Sequence, residues 1–254
     1  MIRKVIHKVR RSLTLMKHSG NNYECPFCNY KAKDLVPLGL DLPVLREKKV
    51  VGAGRRNAGC YQCGSTDRER LIYIYLKDQL EIFDHPEWHV LHLAPEKNLS
   101  KALIQSGIKN YVCGDLFTEG YHYPDYVQNM DVQHIPYSDK HFDVIICNHL
   151  LEHVPDDKKA MTELNRVLKD SGTAILQVPI SMNSAQTSED FTVTDPKERE
   201  QKFGQFDHVR IYGQDYVTRL QSCGLHVTKV NISSNYPKLG LNPEEDIYTA
   251  KKAN

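Results

Sequence analysis

The stretch DVQHIPYSDKHFDVIICNHLLEHVPDDKKAMTELNRVLKDSGTAILQVP, residues 131–179, decides the fold. FDVIIC and TAILQVPI are short apolar runs with strand character, and the segment between them, from about His149 to Leu168, has helical spacing. Alternation of short buried strands with helices is the signature of a parallel sheet covered on both faces.

The same alternation extends in both directions. Upstream lie the strands HVLHLA and YVCGD, with a helix near Leu99 to Ser106 between them. Downstream come a helix around Asp215 to Cys223 and the strands LHVTKVNI and DIYTAKK. Thr66 and Glu69 have capping-box spacing and open the amphipathic run LIYIYLKDQLEIF, a helix leading into the main domain. The expected architecture is a doubly wound, Rossmann-like α/β sheet, mostly parallel with an antiparallel last strand. Such sheets bind ligands beyond the carboxyl ends of their strands. Here those ends hold Ala94, Pro95 and Glu96, then Asp115 and Leu116, then Asn148 and His149. Asp115, directly after the second strand, is placed to accept hydrogen bonds from a ribose diol.

Ahead of this domain the chain is loop-rich and needs a staple. Cys25 and Cys28 in ECPFC and Cys60 and Cys63 in GCYQCG form two CxxC pairs with 31 residues between them. Four thiolates so spaced converge on a tetrahedral Zn²⁺, and a site filled by four cysteines is structural rather than catalytic. Of the seven cysteines, Cys113, Cys147 and Cys223 stand singly in or beside apolar segments and read as small core residues. Lys31, Lys33, Arg55, Arg56, Arg68 and Arg70 would be the positive groups if this zinc-ribbon-like module bound nucleic acid, and are equally explained as a solvated surface.

The first 23 residues hold six Lys/Arg and no acid, leaving 27 basic against 32 acidic residues in the remainder. Ile2, Val5, Ile6, Val9, Leu13 and Met16 recur at helical spacing, so this tail is a basic amphipathic helix for packing on its own domain, a partner or an anionic membrane surface. No apolar run suits a signal peptide or a membrane span, so the expected location is the cytoplasm, with peripheral contact at the inner membrane face as the variant. The expected division is 1–20 for the helix, 21–66 for the zinc module and 67–254 for the α/β domain.

From about residue 86 to 252 the chain resembles the class I S-adenosylmethionine-dependent methyltransferases, most densely in residues 131–179. The resemblance implies S-adenosylmethionine as methyl donor, with Asp131 recognising the adenine amine and Val132 supplying a backbone contact. The family has a GxGxG loop after the first strand; here Ala94 and Glu96 stand at the first two glycine positions, and His92 replaces the usual acid within the strand. Ala94 is small enough for close approach and Pro95 stiffens the turn, while Glu96 offers a carboxylate to the donor's ammonium and opposes a pyrophosphate at this helix start. ECPFC, CGSTDRER, LHLAPE and FGQFDHVRIYG together are similar to bacterial chains that join a zinc ribbon to a methyltransferase, some beside surface-polysaccharide genes. This association implies O-methylation of a saccharide or similar small polar hydroxyl compound. A nucleic-acid or protein methyltransferase and an inactive binding module are the alternatives, and nucleic acid is disfavoured by the absence of an NPPY-type motif.

For a hydroxyl acceptor a general base is useful, and His149, at the carboxyl end of its strand, leads the candidates, with His153 and His208 behind it. A histidine that merely caps the helix is the alternative. His149, Glu152, His153 and Asp156 fall on one face if the helix begins at Asn148; LEHVPD is similar to ubiquinone-pathway O-methyltransferases and thereby implies a second divalent metal, although Pro155 would disturb such a helix. Residues 181–212 are expected to fold over the cleft as a substrate lid, with Arg199 and Arg210 available for an anionic acceptor and Phe203, Phe206 and Tyr212 for stacking.

Overall fold

The structure, a computed structural model, describes residues 2–118 and 122–253. It opens with α1 (Ile2–His18) and the four-cysteine module: β1 (Ser19–Glu24), β2 (Lys31–Ala32), β3 (Val36–Leu38), α2 (Pro43–Glu47), β4 (Val50–Val51) and β5 (Arg56–Gly59). β1 pairs with β2 and β3 with β5, both antiparallel. α3 (Asp67–Asp78) follows, its start fixed by the expected capping box: Glu69 N donates to Thr66 Oγ1 (3.2 Å) and Thr66 N to Glu69 Oε2 (2.9 Å).

The main sheet is built from β6 (His89–Leu93), α4 (Lys97–Gln105), β7 (Asn110–Asp115), β8 (Val127–Asn129), β9 (Phe142–Asn148), α5 (Asp157–Val167) and β10 (Leu168–Gln177). After it come β11 (Ile180–Ser181), β12 (Ser188–Glu189), α6 (Pro196–Phe203), β13 (Arg210–Ile211), α7 (Tyr216–Ser222), β14 (Leu225–Val230) and β15 (Ile247–Lys252). The seven-stranded order is β14-β15-β10-β9-β6-β7-β8. β10, β9, β6, β7 and β8 run parallel, and β15 inserts antiparallel between β10 and β14, as expected for the last strand.

Strand periodicity divides the core. Leu91, Leu93, Ile145, Cys147, Ala174 and Leu176 face α5 and α7, whereas Val90, Val144, Ile146 and Ile175 face α3 and α4. Cys113 and Cys147 are buried, and Cys223 is half-buried against the core.

One strand was not read from the sequence and one local reading is corrected. β8 has no separate apolar run to announce it. The helix expected from His149 begins only at Asp157, with Asp156 as its N-cap accepting from Lys159 N (3.0 Å). Pro155 cannot continue a helix from the strand end, so residues 149–155 form a turn instead. Arg210, buried in β13, organises that turn by donating to the carbonyls of Leu151 (2.7 Å), Val154 and Pro155 (2.9 Å).

The module is fastened to the sheet domain along its length. β4 pairs antiparallel with β11. Arg70, buried in α3, donates to Ala58 O, Ser65 O, Leu239 O and Gly240 O. Arg70 is therefore internal structure and not part of a nucleic-acid-binding surface.

Candidate active site and four-cysteine centre

The cysteine pairs sit on two matching knuckles. Asn29 N donates to Cys25 O (2.8 Å) in the first and Gly64 N to Cys60 O (2.9 Å) in the second, and Asn29 and Gly64 both adopt positive φ (57° and 76°). Cys25 Sγ lies 3.5 Å from Cys63 Sγ and Cys28 Sγ 3.7 Å from Cys60 Sγ, with all four sulfurs within 4.8 Å of one another. Four sulfurs about 2.3 Å from one tetrahedral ion stand roughly 3.8 Å apart, so the donor set fits zinc.

The parallel strands present their carboxyl ends in a row, in the order β9, β6, β7, β8. The row carries Asn148 and His149, then Ala94 to Glu96, then Asp115 and Leu116, then Asp131 and Val132. Three interstrand spacings of about 4.8 Å give a row roughly 14 Å long. Ala94 adopts φ 48°, the left-handed conformation for which glycine is the usual residue, so the turn after β6 keeps a glycine-like backbone at a cost of about 1–2 kcal/mol. The Asp115 carboxylate accepts no hydrogen bond from any described side chain, and burial raises its pKa. Leu116 is exposed, Val132 is buried, and Asp131 Oδ1 accepts from Gln133 N (2.8 Å).

A cavity of about 680 Å³ lies over the β6 and β9 ends. Glu96 enters it bound to His92 Nε2 (2.7 Å) and to Asn148 Nδ2 (3.1 Å), while Tyr111 Oη contacts the other His92 nitrogen (2.7 Å). Burial alone would raise the Glu96 pKa, but His92 and Asn148 hold it below the ordinary value. Asn148 Oδ1 is buried without a partner. Arg68, from the first turn of α3, also lines the cavity; its Nε has no partner, and burial lowers its pKa while Glu245 acts on it as a charge. The cavity lining thus includes both acceptors, Glu96 and Asn148, and a cation, Arg68.

A second cavity of about 260 Å³ adjoins it, sharing Gly39, Arg56, Arg68 and His149 in its walls. His149, at the head of the proline-forced turn, has φ 51°. Both its ring nitrogens are buried without hydrogen bonds, although Nδ1 lies 3.5 Å from Glu152 Oε1. Burial, then the charge of Arg68, lowers the His149 pKa, which favours the uncharged ring. The module backbone passes over this ring at Gly52, whose φ of 81° favours glycine and whose Cβ position lies in ordinary contact range, 3.4 Å, of His149 Cε1. His153 Nδ1 lies 3.3 Å from Asp207 Oδ2 and its ring packs edge-on against His208, centroids 4.6 Å apart. Burial lowers His208 to about 4, whereas Asp207 and Glu152 outweigh burial and raise His153.

The three candidate histidines therefore meet at one cavity. The metal-ligating set read from helical spacing does not form, because Asp156 caps α5; instead Glu152, His153 and His208 bring ligand atoms within 4.8 Å of one another. Residues 181–212 do reach the cavity, through Phe203, Gly204, Gln205, His208, Arg210 and Ile211. Arg210 is committed to the turn carbonyls and Glu189 and is no free anion contact, whereas Arg199 uses Nε on Val193 O (2.9 Å) and lines neither cavity. Phe203 and Tyr212 are buried and Phe206 is exposed. Sequence reasoning missed Arg68 as a cavity residue; its position beside Thr66 and Glu69, in the turn that joins module to helix, was the available signal.

Residues 96–176 match the family described as a methyltransferase domain. Among solved structures, the chain is similar to 1,6-didemethyltoxoflavin-N1-methyltransferase of Burkholderia thailandensis with bound 1,6-didemethyltoxoflavin and S-adenosylhomocysteine. That likeness has 15% identity, 73% of this chain and 78% of that one covered, and a TM-score of 0.48. It is also similar to an S-adenosylmethionine-dependent methyltransferase of Mesorhizobium loti, at 12% identity, with 68% of this chain and 95% of that one covered and a TM-score of 0.44. No curated protein matches the chain.

Proposed function

We propose that this chain is a class I S-adenosylmethionine-dependent methyltransferase that methylates a hydroxyl group of a saccharide or other small polar compound, with His149 as general base. The observation that carries the reading is the pair of adjoining cavities with an unpartnered His149 in their common wall. The larger suits the amino-acid end of the donor. Glu96 and the free Asn148 Oδ1 would receive its ammonium, Arg68 its carboxylate, Asp115 the ribose diol and Asp131 the adenine amine.

Bound donor supplies an electrophilic methyl carbon on a sulfonium. The protein's part would be to hold the acceptor hydroxyl in the smaller cavity beside the donor and to take its proton on a His149 nitrogen as the carbon–sulfur bond gives way to the carbon–oxygen bond and the donor leaves as the uncharged thioether. Glu152, held at about 2 by the facing histidines against its burial, stays ionised and stabilises the imidazolium so produced. Cys25, Cys28, Cys60 and Cys63 would hold Zn²⁺ in a closed, structural site.

A metal-assisted variant has its own support in the Glu152–His153–His208 grouping, since Glu152 Oε2 is buried without a partner. A divalent cation there would bind the acceptor oxygen and lower its pKa. Activity that depends on added Mg²⁺ or Mn²⁺, in protein retaining its cysteine-bound zinc, selects this variant.

The test is transfer of labelled methyl from S-adenosylmethionine to fractionated cell extract. Label in the glycan or small-molecule fraction, lost in His149→Asn, supports the reading; label confined to nucleic acid or protein overturns the substrate class.

A further inference from the structure

Among its described side chains, the helix α1 is held by one side only. Arg11 donates to Gln62 O (2.8 Å), Tyr30 Oη to Leu15 O (2.5 Å), and His18 meets Asp34 (2.7 Å) and stacks on Tyr61 (centroids 4.0 Å). From Ile6 onward, only Leu15 and His18 are even half-buried; the side chains of Ile2 to Val5 lie outside the described residues. At about 100° per residue, Ile6, Val9, Leu13 and Met16 fall within one stripe roughly 80° wide, turned away from Arg11 and Leu15. These four are 46%, 52%, 59% and 73% exposed.

A continuous apolar stripe left in water marks an interaction surface. Its surroundings select the occupant. On the same angular scale Arg10 and Lys17 border one edge and Lys8 lies beyond the other, and α1 contains no acidic residue. Two such helices face to face would set cation against cation, so a second copy is disfavoured. An anionic lipid surface satisfies both features at once: the stripe enters the acyl boundary while the lysine and arginine stems reach up to the headgroups. No helix among the described residues is long and apolar enough to cross a membrane.

We propose that α1 is a docking helix for anionic membrane surfaces, lying in the interface plane with Ile6, Val9, Leu13 and Met16 inward. The cysteine module, which holds α1 on one side and lines both cavities on the other, then links the membrane contact to the catalytic domain. This inference stands apart from the choice of acceptor.

Co-sedimentation of the full chain with vesicles tests it, comparing phosphatidylcholine alone with phosphatidylcholine mixed with phosphatidylglycerol. The expected result is binding to the mixed vesicles at least about tenfold tighter than to the neutral ones and weakened by salt. Val9→Glu with Leu13→Glu should abolish it, and Arg10→Ala with Lys17→Ala should reduce it, both with zinc content and thermal unfolding unchanged because these side chains are exposed. Absence of binding to the mixed vesicles, equal binding to both kinds, or undiminished binding of the double glutamate variant overturns the proposal. So does lipid-free dimerisation, by light scattering, that the glutamates abolish.

Discussion

His149 Nδ1 lies 3.5 Å from Glu152 Oε1, on a turn that Pro155 enforces and Arg210 ties down, yet neither ring nitrogen makes a hydrogen bond. A buried imidazole left unpartnered, on a backbone at φ 51°, is strained and under-satisfied, and such arrangements concentrate where a ligand completes them.

Replacement of His149 by Asn should lower kcat by about 10²–10⁴ while the dissociation constant for S-adenosylmethionine stays within about twofold. Single-turnover rates and isothermal titration separate the two quantities. A parallel loss of both would make His149 a structural residue.

Arg68→Met should weaken donor binding by about tenfold to a hundredfold, the effect of losing hydrogen bonds to a charged group worth about 1.5–3 kcal/mol. It should also move the acid limb of the kcat–pH profile upward, because the Arg68 charge is among the causes that lower the His149 pKa. An unmoved limb would disconnect Arg68 from the base.

Glu245 is buried, and burial raises its carboxyl to about 7. A folded-state pKa above the unfolded one favours the fold at low pH, and that contribution disappears as pH rises through about 7. Glu245→Gln should therefore gain about 1–3 kcal/mol over the parent near pH 8 relative to the same comparison near pH 5, by urea unfolding. A difference independent of pH would contradict the assignment.

Much of this was legible in the residues. The strands announced themselves because apolar runs buried on both faces leave a plain mark, and the cysteine pairs because thiolate spacing is stereochemically demanding. The turn at 149–155 was misread: the offsets of His149, Glu152 and His153 matched a helix, and Pro155 had the stronger claim. The meeting of His153 with Asp207 and His208 depends on how residues 181–212 return to the sheet, a long-range fact no local pattern carries. The attachment of the module was equally hidden, since β4 and β11 are two residues each and the Arg70 contacts span up to 170 positions.

That attachment changes what loss of the cysteine centre should do. From sequence the module reads as a separate unit, residues 21–66, but its residues line both cavities and cover His149. Cys60→Ser should release zinc, measured by elemental analysis, and weaken donor binding at least about tenfold through loss of the cavity wall. Zinc loss with unchanged donor affinity would restore the separate-unit picture.

The central claim is that the row from His149 to Asp131, with Ala94 in a glycine-like backbone, receives S-adenosylmethionine. Isothermal titration of the zinc-loaded chain tests it most directly. The account predicts one donor molecule per chain, bound about tenfold to a hundredfold more weakly by Asp115→Ala; absence of binding, or affinity indifferent to Asp115, would contradict it.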